Sequence, residues 1–177
     1  MNRYIDCTIT RGEACDIDCI VQFQADMAME SEGCLLDREK VAKGVAAAML
    51  DESKGVYWVA KFDGKTIGSL MLTREWSDWN NEWYWWIQSV YVAPEYRRKG
   101  VYKAMYMKVK DAAKGSNVSQ ICLYADRSNL SAQKVYKSLG MHESHYLMFE
   151  VSHPKICLHY FKHFLSISSV GHARQKI

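Results

Sequence analysis

Apolar residues recur along this chain with two different spacings, and each spacing predicts one type of secondary structure. Recurrence at every third or fourth residue is typical of a helix with one buried side, whereas strict alternation with polar residues is typical of a strand. The predicted helices cover residues 16–29, 37–50, 100–113 and 129–139. The predicted strands cover residues 4–10, 56–62, 66–73, 83–92, 121–125 and 146–151. This order mixes strands with helices and predicts an α+β domain, an α/β sandwich.

Turn and capping residues mark the ends of several elements. Asp37 is the predicted N-cap of the second helix, and Asp63-Gly64 predicts a tight hairpin between two strands. Residues 74–82 are predicted to form a polar loop that holds Trp76 and Trp79. Alternation in the next strand predicts one face formed by Tyr84, Trp86, Gln88, Val90 and Val92, and an opposite face formed by Trp83, Trp85, Ile87, Ser89 and Tyr91.

The composition limits the class of protein. The chain has 177 residues, nearly half of them apolar, and a net charge of +3. This charge is too small to predict nucleic-acid binding. Residues 1–9 lack the apolar stretch of a signal peptide, and no segment approaches the roughly 18 apolar residues that a membrane span needs. We therefore expect a cytoplasmic protein that binds neither nucleic acid nor membrane.

The segment 152–177 differs from the rest of the chain, because it holds four of the six histidines, a basic end and an apolar middle. We expect it to extend a domain that spans residues 1–151, either as a docking or homodimer-forming segment or as a disordered tail. His159 and His163 have the helical spacing of a metal pair, but no carboxylate or paired cysteine stands at ligand spacing. We predict no metal site.

The junction at residues 90–102 carries the clearest chemistry. It runs from a predicted strand through a turn at Pro94 and the basic loop Arg97-Arg98-Lys99-Gly100 into a predicted helix. Backbone N–H groups at a helix N-terminus, with cations around them, attract a phosphorylated ligand. The glycine patterns of ATP or GTP P-loops and of dinucleotide folds are absent, so neither of those sites is supported.

Together with a second segment, this junction resembles the GCN5-related N-acetyltransferase (GNAT) family. Arg97 and Gly100 match the Q/R-x-x-G-x-G/A loop of that family. The family pattern N-x-x-A-x-x-x-Y-x-x-x-G is matched by Asn129, Ala132, Tyr136 and Gly140. The resemblance implies the acyl-CoA N-acyltransferase fold, a three-layer sandwich with a mixed, splayed central sheet, and acetyl-CoA as co-substrate.

The resemblance also implies roles for individual residues. Pantetheine would lie along the 90–92 strand as an added strand, and the pyrophosphate would be held by backbone N–H groups from Arg98 to Tyr102. Tyr136 would be the catalytic general acid that protonates the CoA thiolate. The implied cofactor-binding residues are Val90, Tyr91, Val92, Arg97, Arg98, Lys99, Gly100, Val101, Tyr102, Asn129, Ala132 and Tyr136.

The chain departs from the family pattern at two places. Tyr102 stands where the loop ends in glycine or alanine, so its side chain must point away from the pyrophosphate. Gln88 and Ser89 stand where members often have a glutamate that acts as general base. A water relay is one alternative, and the candidate carboxylates are Glu30, Glu32, Asp78 and Glu82. The candidate substrate-binding residues are Glu30, Glu32, Trp79 and Gln88.

The sequence therefore predicts an acetyl-CoA-dependent N-acetyltransferase. We expect the acceptor to be a primary amine of a small molecule, since carboxylates beside aromatic rings suit a cationic amine. We expect direct attack in a ternary complex, because no cysteine lies in either motif. The alternative is a non-catalytic acyl-CoA-binding or regulatory module.

Overall fold

The computed structural model describes residues 4–151 and 175–176. The helices are α1 (Ile17–Glu32), α2 (Arg38–Leu50), α3 (Val101–Ala113) and α4 (Leu130–Ser138). The strands are β1 (Thr8–Arg11), β2 (Val56–Phe62), β3 (Lys65–Ser77), β4 (Glu82–Val92), β5 (Val118–Leu123) and β6 (Gln175–Lys176). Short 3-10 turns at Ala14–Asp16 and Pro94–Tyr96 precede α1 and α3.

The strands form one mixed sheet in the order β1-β2-β3-β4-β5, and β6 pairs with β4 outside this order. The pairs are antiparallel except for β4 with β5 and β4 with β6, which are parallel. Helices α3 and α4 pack on one face, where Met105 and Ala132 join the main core. Helices α1 and α2 pack on the other face, through residues such as Ile20 and Val45. The predicted α+β sandwich with a mixed sheet is therefore confirmed.

Two predicted turns are confirmed as well. The side chain of Asp37 accepts hydrogen bonds from the backbone N–H groups of Glu39 and Lys40 at the start of α2. Asp63 and Gly64 join β2 to β3, and both have a positive φ, as a tight hairpin requires. These local signals were readable because each residue's own chemistry sets its backbone conformation.

The predicted loop at residues 74–82 is wrong over most of its length. Strand β3 continues to Ser77 and pairs there with the start of β4. Trp76 lies opposite Trp83, and their rings meet edge to face with centroids 4.9 Å apart. This cross-strand aromatic pair favours strand over loop despite the polar residues around it. Only residues 78–81 form the turn.

The strand predicted at residues 146–151 is wrong too, because the structure has no regular element there. Its large apolar side chains are exposed: Tyr146, Leu147, Met148, Phe149 and Val151. A run of strand-forming residues becomes a strand only when another strand supplies hydrogen-bond partners. The predicted extension 152–177 is described only at β6, so the prediction for His159 and His163 lies outside the described residues.

A β-bulge in β4 reverses the predicted faces of that strand. Ser89 has a φ of +50°, and the register between β3 and β4 shifts between Ser69 and Met71. Ile87 and Val90 consequently pack in the same core with α3, whereas Tyr91 packs against α1. Simple alternation therefore holds only up to Gln88, since one inserted residue exchanges the two faces.

Candidate active site

The first part of the site is the gap that opens between β4 and β5. The parallel pairing of these strands runs from Trp83 to Ile87, where β5 ends its ladder at Leu123. Strand β4 continues to Val92, so its edge beyond Ile87 is not covered by β5. The bulge at Ser89 stands at this point, and a bulge bends the strand that carries it. The splayed sheet that the sequence predicted is therefore present.

Beyond the gap, β6 takes the place next to β4. Val90 pairs with Gln175 and Tyr91 with Lys176, in parallel register. This is the edge along which the resemblance implies that pantetheine lies. A ligand that added itself to β4 there would have to replace β6, because one edge of a strand can pair with only one neighbour.

The second part is the junction between β4 and α3. Arg98 has a φ of +61° and Gly100, the N-cap of α3, a φ of +83°. Among the described residues, the backbone N–H groups from Arg98 to Lys103 have no acceptor, and the first with a partner is that of Ala104, which donates to the Gly100 carbonyl at 3.0 Å. A cluster of N–H groups at a helix N-terminus attracts anions, so the junction has the backbone geometry that the predicted phosphate site requires.

A packing contact also requires glycine at position 100. A Cβ on this residue would lie 2.4 Å from Cδ1 of Tyr4, closer than side chains approach each other. The N-terminal segment thus runs against the junction, and the backbone N–H of Ile5 donates to the Lys99 carbonyl at 2.9 Å. Both the left-handed conformation and the contact with Tyr4 require glycine here.

The side chain of Tyr102 points away from the N–H groups of the junction, as a large residue at this position of the loop must. Its side chain is 3% exposed and points into the core, where its ring meets those of Tyr106 and Tyr136 at centroid distances of 6.3 and 5.6 Å. Burial raises the pKa of Tyr102 above its ordinary value, so the phenol stays neutral. The large side chain therefore leaves the N–H side of the junction open.

Arg97 faces α1 instead of joining the N–H cluster. Its Nε donates to the Val92 carbonyl at 2.8 Å, and its Nη2 lies 2.9 Å from Oε1 of Glu30. Tyr91 donates to the same carboxylate oxygen at 3.0 Å. Partial burial alone would lower the pKa of Arg97, but the hydrogen bond and charge of Glu30 outweigh it and raise the pKa. The side-chain cations at the junction that remain exposed are Arg98 and Lys99.

Tyr136 lies on α4 and is 4% exposed. Burial raises the pKa of this phenol above its ordinary value, so it holds its proton at neutral pH. The helix that carries it begins at Asn129, whose Oδ1 accepts a hydrogen bond from the Ala132 N–H at 3.0 Å. Ala132 is buried beneath this cap. The second motif thus fixes the start of α4 and the position of Tyr136.

The predicted substrate-binding residues lie in different places. Glu30 and Glu32 stand in the last turn of α1, and Glu30 is engaged with Arg97. Trp79 is 93% exposed in the turn between β3 and β4. Gln88 lies six positions along β4 from Glu82, roughly 20 Å along the strand from that turn. The structure therefore does not bring Trp79 and Gln88 together.

Gln88 belongs instead to an open pocket of about 330 Å³. We call it the β3–β4 pocket, and its lining residues are Thr73, Arg74, Glu75, Trp86, Gln88 and Tyr124. Gln88 donates to Oγ1 of Thr73 at 2.6 Å, which holds its amide against the pocket wall. The sequence interpretation assigned no site role to Trp86 or Tyr124. The pocket could have been predicted from the pairing of Thr73 with Trp86, but this pairing is known only when the register between β3 and β4 is known.

Three further observations concern the described part of the chain. The described part of the chain contains no group of three or more histidine, cysteine, aspartate or glutamate side chains that could hold a metal ion. All five cysteines in that part are free thiols. No helix among the described residues is long and apolar enough to cross a membrane.

Comparison with known proteins gives a consistent result. The model of the acetyltransferase (GNAT) family matches residues 24–141. A possible acetyltransferase from Clostridium difficile 630 is 39% identical, with a TM-score of 0.77 over 82% of this chain and 97% of its own. A predicted acetyltransferase from Clostridium acetobutylicum, crystallised with acetyl-CoA, is 18% identical, with a TM-score of 0.67 over 82% of this chain and 96% of its own. The latter likeness shows the fold alone. No curated protein matches the chain.

Proposed function

Since the chain belongs to the acetyltransferase (GNAT) family, we propose that it transfers an acetyl group from acetyl-CoA to a primary amine of a small molecule. The observation that carries the proposal is the splay of β4 from β5 beside a helix N-terminus whose N–H groups have no acceptor among the described residues. An extended arm ending in a pyrophosphate fits those two features together.

The cofactor arm would use backbone groups more than side chains. The edge of β4 from Val90 onward offers the N–H and carbonyl groups for pantetheine once β6 is released. The N–H groups from Arg98 to Tyr102 would hold the pyrophosphate, and the exposed side chains of Arg98 and Lys99 would offset its charge. Arg97 would contribute to cofactor binding by holding the junction in place, because its guanidinium is paired with the Glu30 carboxylate.

The proposed reaction is a direct transfer. The neutral amine nitrogen attacks the carbonyl carbon of the thioester, and the nitrogen–carbon bond forms as the carbon–sulfur bond breaks. Tyr136 gives its proton to the departing sulfur, the new amide loses a proton to solvent, and the Tyr136 phenolate then regains a proton from solvent. Because burial raises the pKa of Tyr136, the phenol is protonated when the reaction begins. Both substrates are bound at once, so the mechanism is a ternary-complex one.

The test is thiol release from acetyl-CoA over a panel of small amines. We expect turnover by the wild type, a loss of about 10²-fold or more in kcat for Tyr136→Phe, and intersecting lines in double-reciprocal plots. Tyr106→Phe is the matched control, because Tyr106 is a tyrosine on α3 in the same core. Its kcat should match the wild type.

Other outcomes would overturn parts of the proposal. Parallel double-reciprocal lines would exclude the ternary complex. CoA binding without turnover on any amine would favour a non-catalytic acyl-CoA-binding or regulatory module, a function for which the pairing of β6 with β4 is the supporting observation. Absence of CoA binding would overturn both functions.

A further inference from the structure

The β3–β4 pocket lies where the two halves of the sheet separate. Gln88 immediately precedes the bulge at Ser89, and Tyr124 immediately follows the end of β5 at Leu123. The pocket therefore opens beside the gap in which the proposed function puts the thioester. Its volume of about 330 Å³ stands at the small end of ligand pockets, which suits a small acceptor.

One wall of this pocket is aromatic and flat. The rings of Trp86 and Tyr124 stack with centroids 4.6 Å apart and an angle of 22° between their planes. The face of an aromatic ring is electron-rich, whereas its edge is electron-poor. A cation over the outer face of either ring gains electrostatic energy that a neutral group does not.

The pocket also carries a carboxylate beside this wall. Nε1 of Trp86 donates a hydrogen bond of 2.7 Å to Oε2 of Glu75. This bond orients the carboxylate, and no side chain among the described residues bonds to Oε1 or forms an ion pair with Glu75. Arg74 also lines the pocket, and its guanidinium is directed to Glu52, at 3.5 Å, where Arg11 also approaches at 3.6 Å. Glu75 is therefore the carboxylate of the pocket lining.

The charge of Glu75 also affects a residue of β5 beside the gap. Cys122 of β5 pairs with Trp86 of β4 near the end of the parallel ladder. Burial raises the pKa of the Cys122 thiol, and the charge of Glu75 raises it further. Glu75 is therefore near enough to β5 for its charge to act on the strand that borders the gap.

We propose that the β3–β4 pocket binds the acceptor as an alkylammonium cation, with Glu75 as the residue that determines this specificity. The inference rests on the proposed function. The ammonium lies against the carboxylate of Glu75 and the rings of Trp86 and Tyr124, and the carbon chain fills the rest of the pocket. Release of one proton to solvent, which the open pocket allows, gives the neutral amine that attacks. Anionic acceptors are excluded by the same charge.

The test compares Glu75→Gln with the wild type, using butylamine as acceptor. Glutamine keeps the size of the side chain and an oxygen that accepts from the indole N–H, and it removes only the charge. We expect KM for butylamine to rise about ten-fold or more, the scale of a lost charge-assisted hydrogen bond, while kcat and the KM for acetyl-CoA change little. Glu39→Gln, on the exposed face of α2, is the matched control and should behave as the wild type.

A second measurement does not depend on turnover. The indole N–H signal of Trp86 in a ¹H–¹⁵N spectrum, assigned with Trp86→Phe, reports directly on the bond to Glu75. Titration with butylammonium chloride should shift this signal in the wild type and leave it in place in Glu75→Gln. No shift in the wild type, or an unchanged KM in the variant that turns over, would overturn the pocket assignment and leave the acetyltransferase intact. A shift without turnover by any variant would overturn the proposed function instead.

Discussion

The hydroxyl group of Tyr102 offers a sharp test of the core next to the cofactor junction. It is buried, and it has no hydrogen-bond partner among the described residues. Burying a hydroxyl without a partner costs about 1–3 kcal/mol in mutational data. Tyr102→Phe removes the hydroxyl and keeps the ring contacts, including the edge-to-face pair with Tyr136 at 5.6 Å. The void left by one oxygen offsets part of the gain, so we expect the variant to be about 1 kcal/mol more stable.

Urea unfolding at pH 7 measures this difference. With a slope of about 2 kcal/mol per molar, a gain of about 1 kcal/mol moves the midpoint up by about 0.5 M urea. Tyr106→Phe is the control, since its hydroxyl is not among the buried groups without a partner, and its midpoint should not rise. The affinity for CoA should stay that of the wild type, because the Tyr102 side chain points into the core. A lower midpoint for Tyr102→Phe would refute the reasoning, because it would mean that the hydroxyl has a partner.

Two further predictions concern other parts of the chain. Burial alone would raise the pKa of Asp16, but hydrogen bonds from Thr66 and other donors outweigh burial and lower the pKa. The stability that this carboxylate contributes is therefore fully present above about pH 3.8, the ordinary pKa of an aspartate in the unfolded chain. It is lost as the pH falls through the lowered pKa of the folded state. Asp16→Asn should therefore be about 1–3 kcal/mol less stable than the wild type at pH 7, with the gap in urea midpoints narrowing below pH 3.8; a constant gap would contradict this. Gln175→Pro should weaken the pairing of β6 with Val90 and tighten CoA binding up to about five-fold by calorimetry, whereas an unchanged Kd would show that β6 does not compete.

The sequence predicted those parts of the fold that local chemistry determines. The periodicity of apolar residues located all four helices, and Asp37 and Asp63-Gly64 marked the turns where the structure has them. The two motifs led to the family, because each combines a backbone requirement with a helix start: Gly100 for α3 and Asn129 for α4. The catalytic role of Tyr136 and the cofactor contacts stay predictions.

The parts that the sequence did not predict depend on pairing between distant residues. The β3–β4 pocket exists because Thr73 lies opposite Trp86, and nothing near either residue reveals that register. Trp76 belongs to a strand because Trp83 stands across from it. The segment 146–151 has the composition of a strand but no strand beside it among the described residues. In each case the deciding interaction comes from the partner strand and not from the segment itself.

The bulge at Ser89 also determines where the length of this chain can change. The 78–81 turn is exposed, so a residue gained or lost there shifts nothing that is buried. Deletion of Ser89 would remove the bulge and leave Val90 in the core with α3 and Tyr91 against α1, because simple alternation from Gln88 onward places both residues on the faces they already occupy. Loss of any other single residue between Trp83 and Gln88 would exchange the buried and exposed faces of that part of β4. Natural variants of this chain should therefore differ in length at the hairpin tip or at the bulge, and keep the same residue count from residue 83 to residue 88.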